Sequence, residues 1–217
     1  MTALPPSRRK REYLKQGVIL HQRFSDATSS LLRMNRNYLM SITIQYCQLD
    51  LSMTGLYCAI AHYSQSLECL YYIDNHDQVI SSAGLSASVV YGCPNMCHFK
   101  GFHAGMNDAV LFSIARHWHK LESLSLCSTT EQITNEAFWH FLTELSLSSL
   151  ELHDYDFISI EALANQQCVF DLSCLKMTKY MTTPLSKPGF QSLLRLFPNL
   201  KRLEYETNLY LTICSRP

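Results

Sequence analysis

The sequence predicts an α/β solenoid, a curved stack of about seven parallel strands with helices on its convex side. Three observations carry that expectation. First, a nine-residue phrase with apolar residues at its first, fourth and sixth places recurs seven times. It starts at Leu39 (LMSITIQYC), Leu67 (LECLYYIDN), Met96 (MCHFKGFHA), Leu121 (LESLSLCST), Leu147 (LSSLELHDY), Leu172 (LSCLKMTKY) and Leu200 (LKRLEYETN). Second, the starts are 28, 29, 25, 26, 25 and 28 residues apart, and a period in the twenties belongs to stacked short strands. Third, the segments between phrases carry apolar residues at helical spacing.

Each phrase is too short for a helix, and its alternation at places four and six fits a strand with one buried face. Before the first phrase, residues 27–34 predict a short helix that completes an earlier, partial unit. Leu56 and Ile60 stand four apart, as do Leu85 and Val89, and Val110 and Ile114. Phe138, Phe141 and Leu142 make the same stripe, and so do Phe190, Leu193, Leu194 and Phe197. Ser81, Asn107, Thr134 and Ser186 stand where an N-cap hydroxyl or amide would accept from the first turn. Pro188 follows the last of these closely. Cys93-Pro94-Asn95 and Phe197-Pro198-Asn199 read as turns leading into the next strand. Residues 158–163 give the weakest helical pattern. Because every connection crosses back over a helix, the strands should run parallel.

The expected domain spans residues 25–217, with residues 1–24 as a mobile, basic arm. The strand at Leu200 is followed by no further helical pattern. Its edge therefore needs cover, either from residues 209–214 or from a partner.

Composition agrees with a packed chain: 47% of the 217 residues are hydrophobic and 17% charged. Formal net charge is zero, which disfavours a polyanion binder. Nine cysteines, an odd number scattered singly, read as free thiols in a reducing compartment. The N-terminal residues lack the apolar stretch of a secretion signal, and no run of about 20 apolar residues suggests a membrane span. The expected location is the cytoplasm, the nucleus or both. Arg8-Arg9-Lys10-Arg11, with Lys15 beyond, is a local basic run of the kind found in import signals and in solvated tails.

The strand phrase resembles that of leucine-rich-repeat proteins of the ribonuclease-inhibitor-like type, most closely the repeat region of F-box/leucine-rich-repeat proteins. Their phrase is LxxLxLxxN or LxxLxLxxC, and Cys47, Asn75 and Asn208 match its ninth place. SLLRMNRNYLMSITI and SLLRLFPNLKRLEY carry the resemblance best. It implies a leucine-rich-repeat solenoid over roughly residues 28–214. The third to sixth units depart at the ninth place, with Ala104, Thr129, Tyr155 and Tyr180. The third unit also has Gly101 at its sixth place, where a bulge would turn Phe102 inward, and the second has Tyr72 there. No F-box pattern is visible, and residues 1–24 are too short and polar for one.

In such a stack, places three, five, seven and eight line the concave face. The candidate partner-binding residues are Tyr71, Ile73, His98, Lys100, Phe102 and His103 in the N-terminal half. In the C-terminal half they are Glu151, His153, Lys176, Arg202 and Glu204. The first group is amphipathic, the kind of surface that anchors a protein partner. The second alternates in sign, which favours selectivity over bulk attraction. A soluble but idle strand face is the plainer alternative.

No enzymatic constellation is expected. Cys93, Cys97, His98 and His103 lack the second compact ligand pair of a zinc site. Cys127, with His98 and His153 on neighbouring strands, lacks an oxyanion pocket and a third group to orient the base. No cofactor and no small-molecule substrate are expected. The main expectation is a non-enzymatic protein-recognition scaffold. Through the resemblance, it implies the substrate-recognition part of a ubiquitin-ligase adaptor and contact with ligase scaffold components. The alternative is an accessory repeat module with an assembly role through uncapped ends.

Overall fold

The computed structural model describes residues 18–21, 26–45, 53–73, 92–102, 106–127, 133–153, 168–178, 186–206 and 210–214. Its strands are β1 (Val18–His21), β2 (Ser41–Gln45), β3 (Cys69–Ile73), β4 (His98–Phe102), β5 (Ser123–Cys127), β6 (Ser149–His153), β7 (Cys174–Thr178), β8 (Arg202–Glu206) and β9 (Tyr210–Cys214). The helices are α1 (Asp26–Asn35), α2 (Met53–Tyr63), α3 (Asp108–His117), α4 (Asn135–Glu144) and α5 (Lys187–Leu196).

All nine strands form one open sheet in sequence order. Neighbours from β1 to β8 pair parallel, and β9 pairs antiparallel with β8. Every one of the seven phrases contributes a strand that begins at its third place. Consecutive phrases also meet in one repeated way. The carbonyl of each second-place residue accepts from the next unit's second- and third-place N–H groups. Met40 thus takes Glu68 and Cys69, Glu68 takes Cys97 and His98, and so on to Ser173 with Lys201 and Arg202. One joint used six times fixes the register before any side chain is considered.

Those registers place the anchors in one layer. Leu39, Ile42 and Ile44 are buried, as are Leu121, Leu124 and Leu126, Leu147, Leu150 and Leu152, and Leu172, Leu175 and Met177. Burying each such side chain contributes about 2 kcal/mol, which lets a polar backbone crossing hold its helix down. The helices answer with Ile60, with Val110 and Ile114, with Phe138 and Phe141, and with Leu193 and Leu196, in the same core cluster. Neighbouring helices also pack side by side, α1 with α2 and α3 with α4.

Helix starts follow the expected chemistry. Asn107 Oδ1 accepts from Val110 N at 3.0 Å, Thr134 Oγ1 from Ala137 N at 3.2 Å, and Ser186 Oγ from Gly189 N at 3.2 Å. Thr134 is itself held, because its N–H and hydroxyl donate to the Asp108 carboxylate at 2.7 and 2.9 Å. The start of α4 is thereby fastened to the first turn of α3. The chain turns at the expected prolines: Met96 N donates to the Cys93 carbonyl and Leu200 N to the Phe197 carbonyl, both at 3.3 Å.

Three expectations need correction. Residues 18–21, assigned to the arm, form β1 and add a strand in front of the first phrase. That strand completes the partial unit to which α1 belongs. Gly101 makes no bulge: it pairs in register with Tyr72 on one side and Leu126 on the other. Strand pairing on both edges holds the backbone straight although the sixth-place side chain is missing. In α5, Leu194 is exposed and Leu196 buried, because Leu196 lies about 60° round the helix from buried Leu193 and Leu194 about 100°. Of the two covers expected for the edge of β8, the chain itself supplies one, since β9 pairs with all five of its residues. The helix expected at Leu85 and Val89 with its Ser81 cap, the pattern at 158–163, and every ninth-place residue lie outside the described residues.

Candidate protein-binding face

Opposite the buried layer, places three and five form two continuous rows, and place seven a third that is interrupted between β3 and β4. The fifth-place row runs Thr43, Tyr71, Lys100, Ser125, Glu151, Lys176 and Glu204, each in register with the next. His98 stands in the third-place row between Cys69 and Ser123, and Arg202 ends that row beside Cys174. His153 stands in the seventh-place row between Cys127 and Thr178. The backbones of Ile73 and Phe102 occupy the same seventh-place row. His103 lies outside the described residues. The expected site residues therefore share one sheet face wherever the structure describes them.

The two halves of that face differ in chemistry. In the C-terminal half the charges satisfy one another. Lys100 Nζ lies 3.7 Å from Glu151 Oε2, and His153 Nε2 lies 3.6 Å from the same oxygen. On the ring's other side, Nδ1 is 2.7 Å from Thr178 Oγ1. Lys176 lies 3.6 Å from Glu204 and 3.4 Å from Glu206, and Arg202 also pairs with Glu204.

Lys100 and Glu151 are two strands apart, with Ser125 between them. That separation is about 10 Å at the usual strand spacing, so the two long side chains meet above the serine. Their bridge explains why Ser125 is only 5% exposed. Thr178 at 4% and Glu204 at 6% are covered in the same way by their ring and cation partners. The expectation that places five and seven stand open along the whole ladder is thus corrected at these three positions. Sequence spacing reveals which residues share a row, but not that long side chains roof over short ones.

The electrostatics follow from these contacts. The His153 ring beside it and the nearby Lys100 and Ser125 hold the Glu151 carboxyl down to about 2, against the opposing effect of burial. Burial works against charge on Lys176, but Glu206, Glu204 and Glu151 outweigh it and raise its pKa. A carboxyl depressed in the folded state stabilises above its ordinary value near 4.5, and that stabilisation disappears as pH falls towards 2. Glu151→Gln should therefore remove part of the acid sensitivity of unfolding between pH 4.5 and 2. At pH 7 it should cost about 1 kcal/mol, the full shift being reduced by solvent screening at this partly open site. Urea titrations of both proteins at about pH 7 and pH 3 check this, and an equal loss of stability in both on acidification would contradict it.

Apart from Lys100, which Glu151 engages, the rows of the N-terminal half carry no formal charge. Tyr71 is half-buried and hydrogen-bonds the Cys69 side chain beside it, and burial raises the pKa of both groups. Ser41, Thr43 and His98 are likewise partly exposed. These groups offer a rigid aromatic ring and hydroxyl and imidazole donors.

Of the cysteines considered for metal or thiol chemistry, Cys93 is buried and Cys97 half-buried. Burial pushes Cys93 up to about 12 and raises Cys97 as well. Among the described residues no three metal-ligating side chains come together, and no helix is long and apolar enough to cross a membrane. A comparison with protein-family models and with curated proteins found no match to this chain.

Proposed function

We propose that this protein is a non-enzymatic recognition scaffold, a leucine-rich-repeat solenoid that presents the outward rows of its strands to a protein partner. The observation that carries the reading is the register: seven consecutive phrases set places three, five and seven side by side on one sheet face, away from the helices. A face assembled from many strands holds its side chains at fixed spacing, so a partner loses little entropy in ordering it. Contact centres on β2 to β4. The charges of β6 to β8 already neutralise one another, and separating a half-buried pair costs more than a new rim contact returns. The partly exposed Tyr71 and His98 lack that competition, and Tyr71 is the anchor. The resemblance to the repeat regions of F-box/leucine-rich-repeat proteins suggests substrate recognition for a ubiquitin ligase as the setting.

Site-specific photo-crosslinking in cell extract tests the reading. A crosslinker replacing Tyr71 should trap a discrete partner, and one replacing Phe112, exposed on α3, should not. Tyr71→Glu should reduce capture at least about tenfold while the melting temperature stays within a few degrees. Recovery of ligase scaffold components would support the adaptor setting. Equal trapping from both positions, or unaltered capture by Tyr71→Glu, would place the contact elsewhere.

A further inference from the structure

We infer that β9 is the pairing edge of a homodimer, joining two copies of this chain through an antiparallel β9–β9 contact centred on Thr212. This inference stands independently of the role of the outward face. β9 follows β8 in the sheet order, and among the described residues no strand pairs with its other edge. A strand paired on one side still directs alternate N–H and C=O groups away from its neighbour. Proteins usually protect such an edge with Lys, Pro or a bulge. Tyr210-Leu211-Thr212-Ile213-Cys214 contains no charge and no proline, and tyrosine, threonine and isoleucine are strong strand formers.

The same five residues are self-complementary. A two-fold axis at Thr212 sets threonine against threonine, Leu211 against Ile213 and Tyr210 against Cys214. Leu211 and Ile213 are in register with Tyr205 and Leu203, two of the inward anchors of the last phrase. Pairing about this axis therefore continues the backbone ladder of one copy's sheet into that of the other. No like charges meet, so nothing opposes self-association.

The opposite end of the sheet is a poorer self-partner. The chain before β1 carries Arg8, Arg9, Lys10, Arg11 and Lys15, and Arg23 follows it. Two β1 edges brought together would collect these cations from both copies. Charge thus selects β9 over β1, and a closed two-fold pair over a head-to-tail filament.

A five-residue edge is a small contact, so the dimer should form at micromolar to submillimolar concentration. Sedimentation equilibrium of the full chain should show the mass rising from 24.9 kDa towards twice that value as concentration reaches about 200 μM. Thr212→Lys places a cation beside Glu204 within its own chain, an opposite charge that the fold accepts, but against its own copy across the axis. It should stay monomeric with its melt unchanged. Thr212→Cys should give a reducible dimer on mild oxidation beyond the wild-type background, because antiparallel partners lie within disulfide reach. Ile19→Cys in β1 should not. A wild-type chain that stays monomeric, a Thr212→Lys variant that dimerises as before, or a crosslink from Ile19→Cys alone would each overturn the proposal.

Discussion

Trp118→Ala is expected to destabilise the protein by about 4 kcal/mol, in the range for deleting a large buried aromatic. Trp118 caps the C-terminus of α3, is fully buried, and lies with its ring 5.2 Å from that of Phe99 on β4. Its own N–H closes the helix onto the Ile114 carbonyl, and its carbonyl accepts from Leu121, the first anchor of the next phrase. One residue therefore ends a helix, starts a strand and fills the space between units. The indole Nε1 has no hydrogen-bond partner among the described residues. Trp118→Phe keeps most of the ring contact and removes that donor, so it should cost less than about 2 kcal/mol. Urea unfolding of the two variants separates these cases. Equal losses would show that the full volume of the indole, not one aromatic ring beside Phe99, carries the contribution.

Gly92→Ala is the second large effect, about 3 kcal/mol. A Cβ at Gly92 would overlap the Cα, Cβ and carbonyl oxygen of Ala61 in α2, closer than real side-chain atoms approach. Two of those three atoms are backbone, so no rotamer change relieves the overlap. Ala61→Gly in the same chain should then restore only a minor part of the loss. Full restoration would mean that the two segments touch through the Ala61 methyl alone. The clash matters because Gly92 adjoins buried Cys93 and the turn that launches β4, where His98 and Lys100 enter the outward rows.

Much of this arrangement was legible in the sequence because it depends on short-range rules repeated many times. An apolar residue at the first place closes each turn, and apolar residues at the fourth and sixth places choose the buried face, so each strand start could be read from Leu121 or Leu172 alone. Caps such as Asn107 and Thr134 obey local chemistry as well. What escaped depends on neighbours distant in sequence. β1 is a four-residue run near a basic stretch, and only pairing with β2 makes it a strand. Gly101 offers no inward side chain, yet β3 and β5 dictate its register. In α5, Leu196 took the place expected for Leu194, since at 3.6 residues per turn Leu196 lies about 60° round the helix from buried Leu193 and Leu194 about 100°. In the candidate face, row membership followed from the phrase. The burial of Ser125 did not, because it arises from the reach of Lys100 towards Glu151 across an intervening strand.

The lateral order of the strands is open to a direct chemical measurement. Ser149 is in register with the native Cys174 on the adjacent strand, whereas Ser123 lies one strand farther away. Neighbouring strands are about 5 Å apart, within disulfide reach, and second neighbours about 10 Å, well outside it. After mild oxidation of dilute protein, peptide mass mapping of Ser149→Cys should show the introduced thiol linked to Cys174 of the same chain. The Ser123→Cys variant should show no link to Cys174. A Cys174 link from Ser123→Cys, with none from Ser149→Cys, would contradict the side-by-side order on which the shared outward face depends.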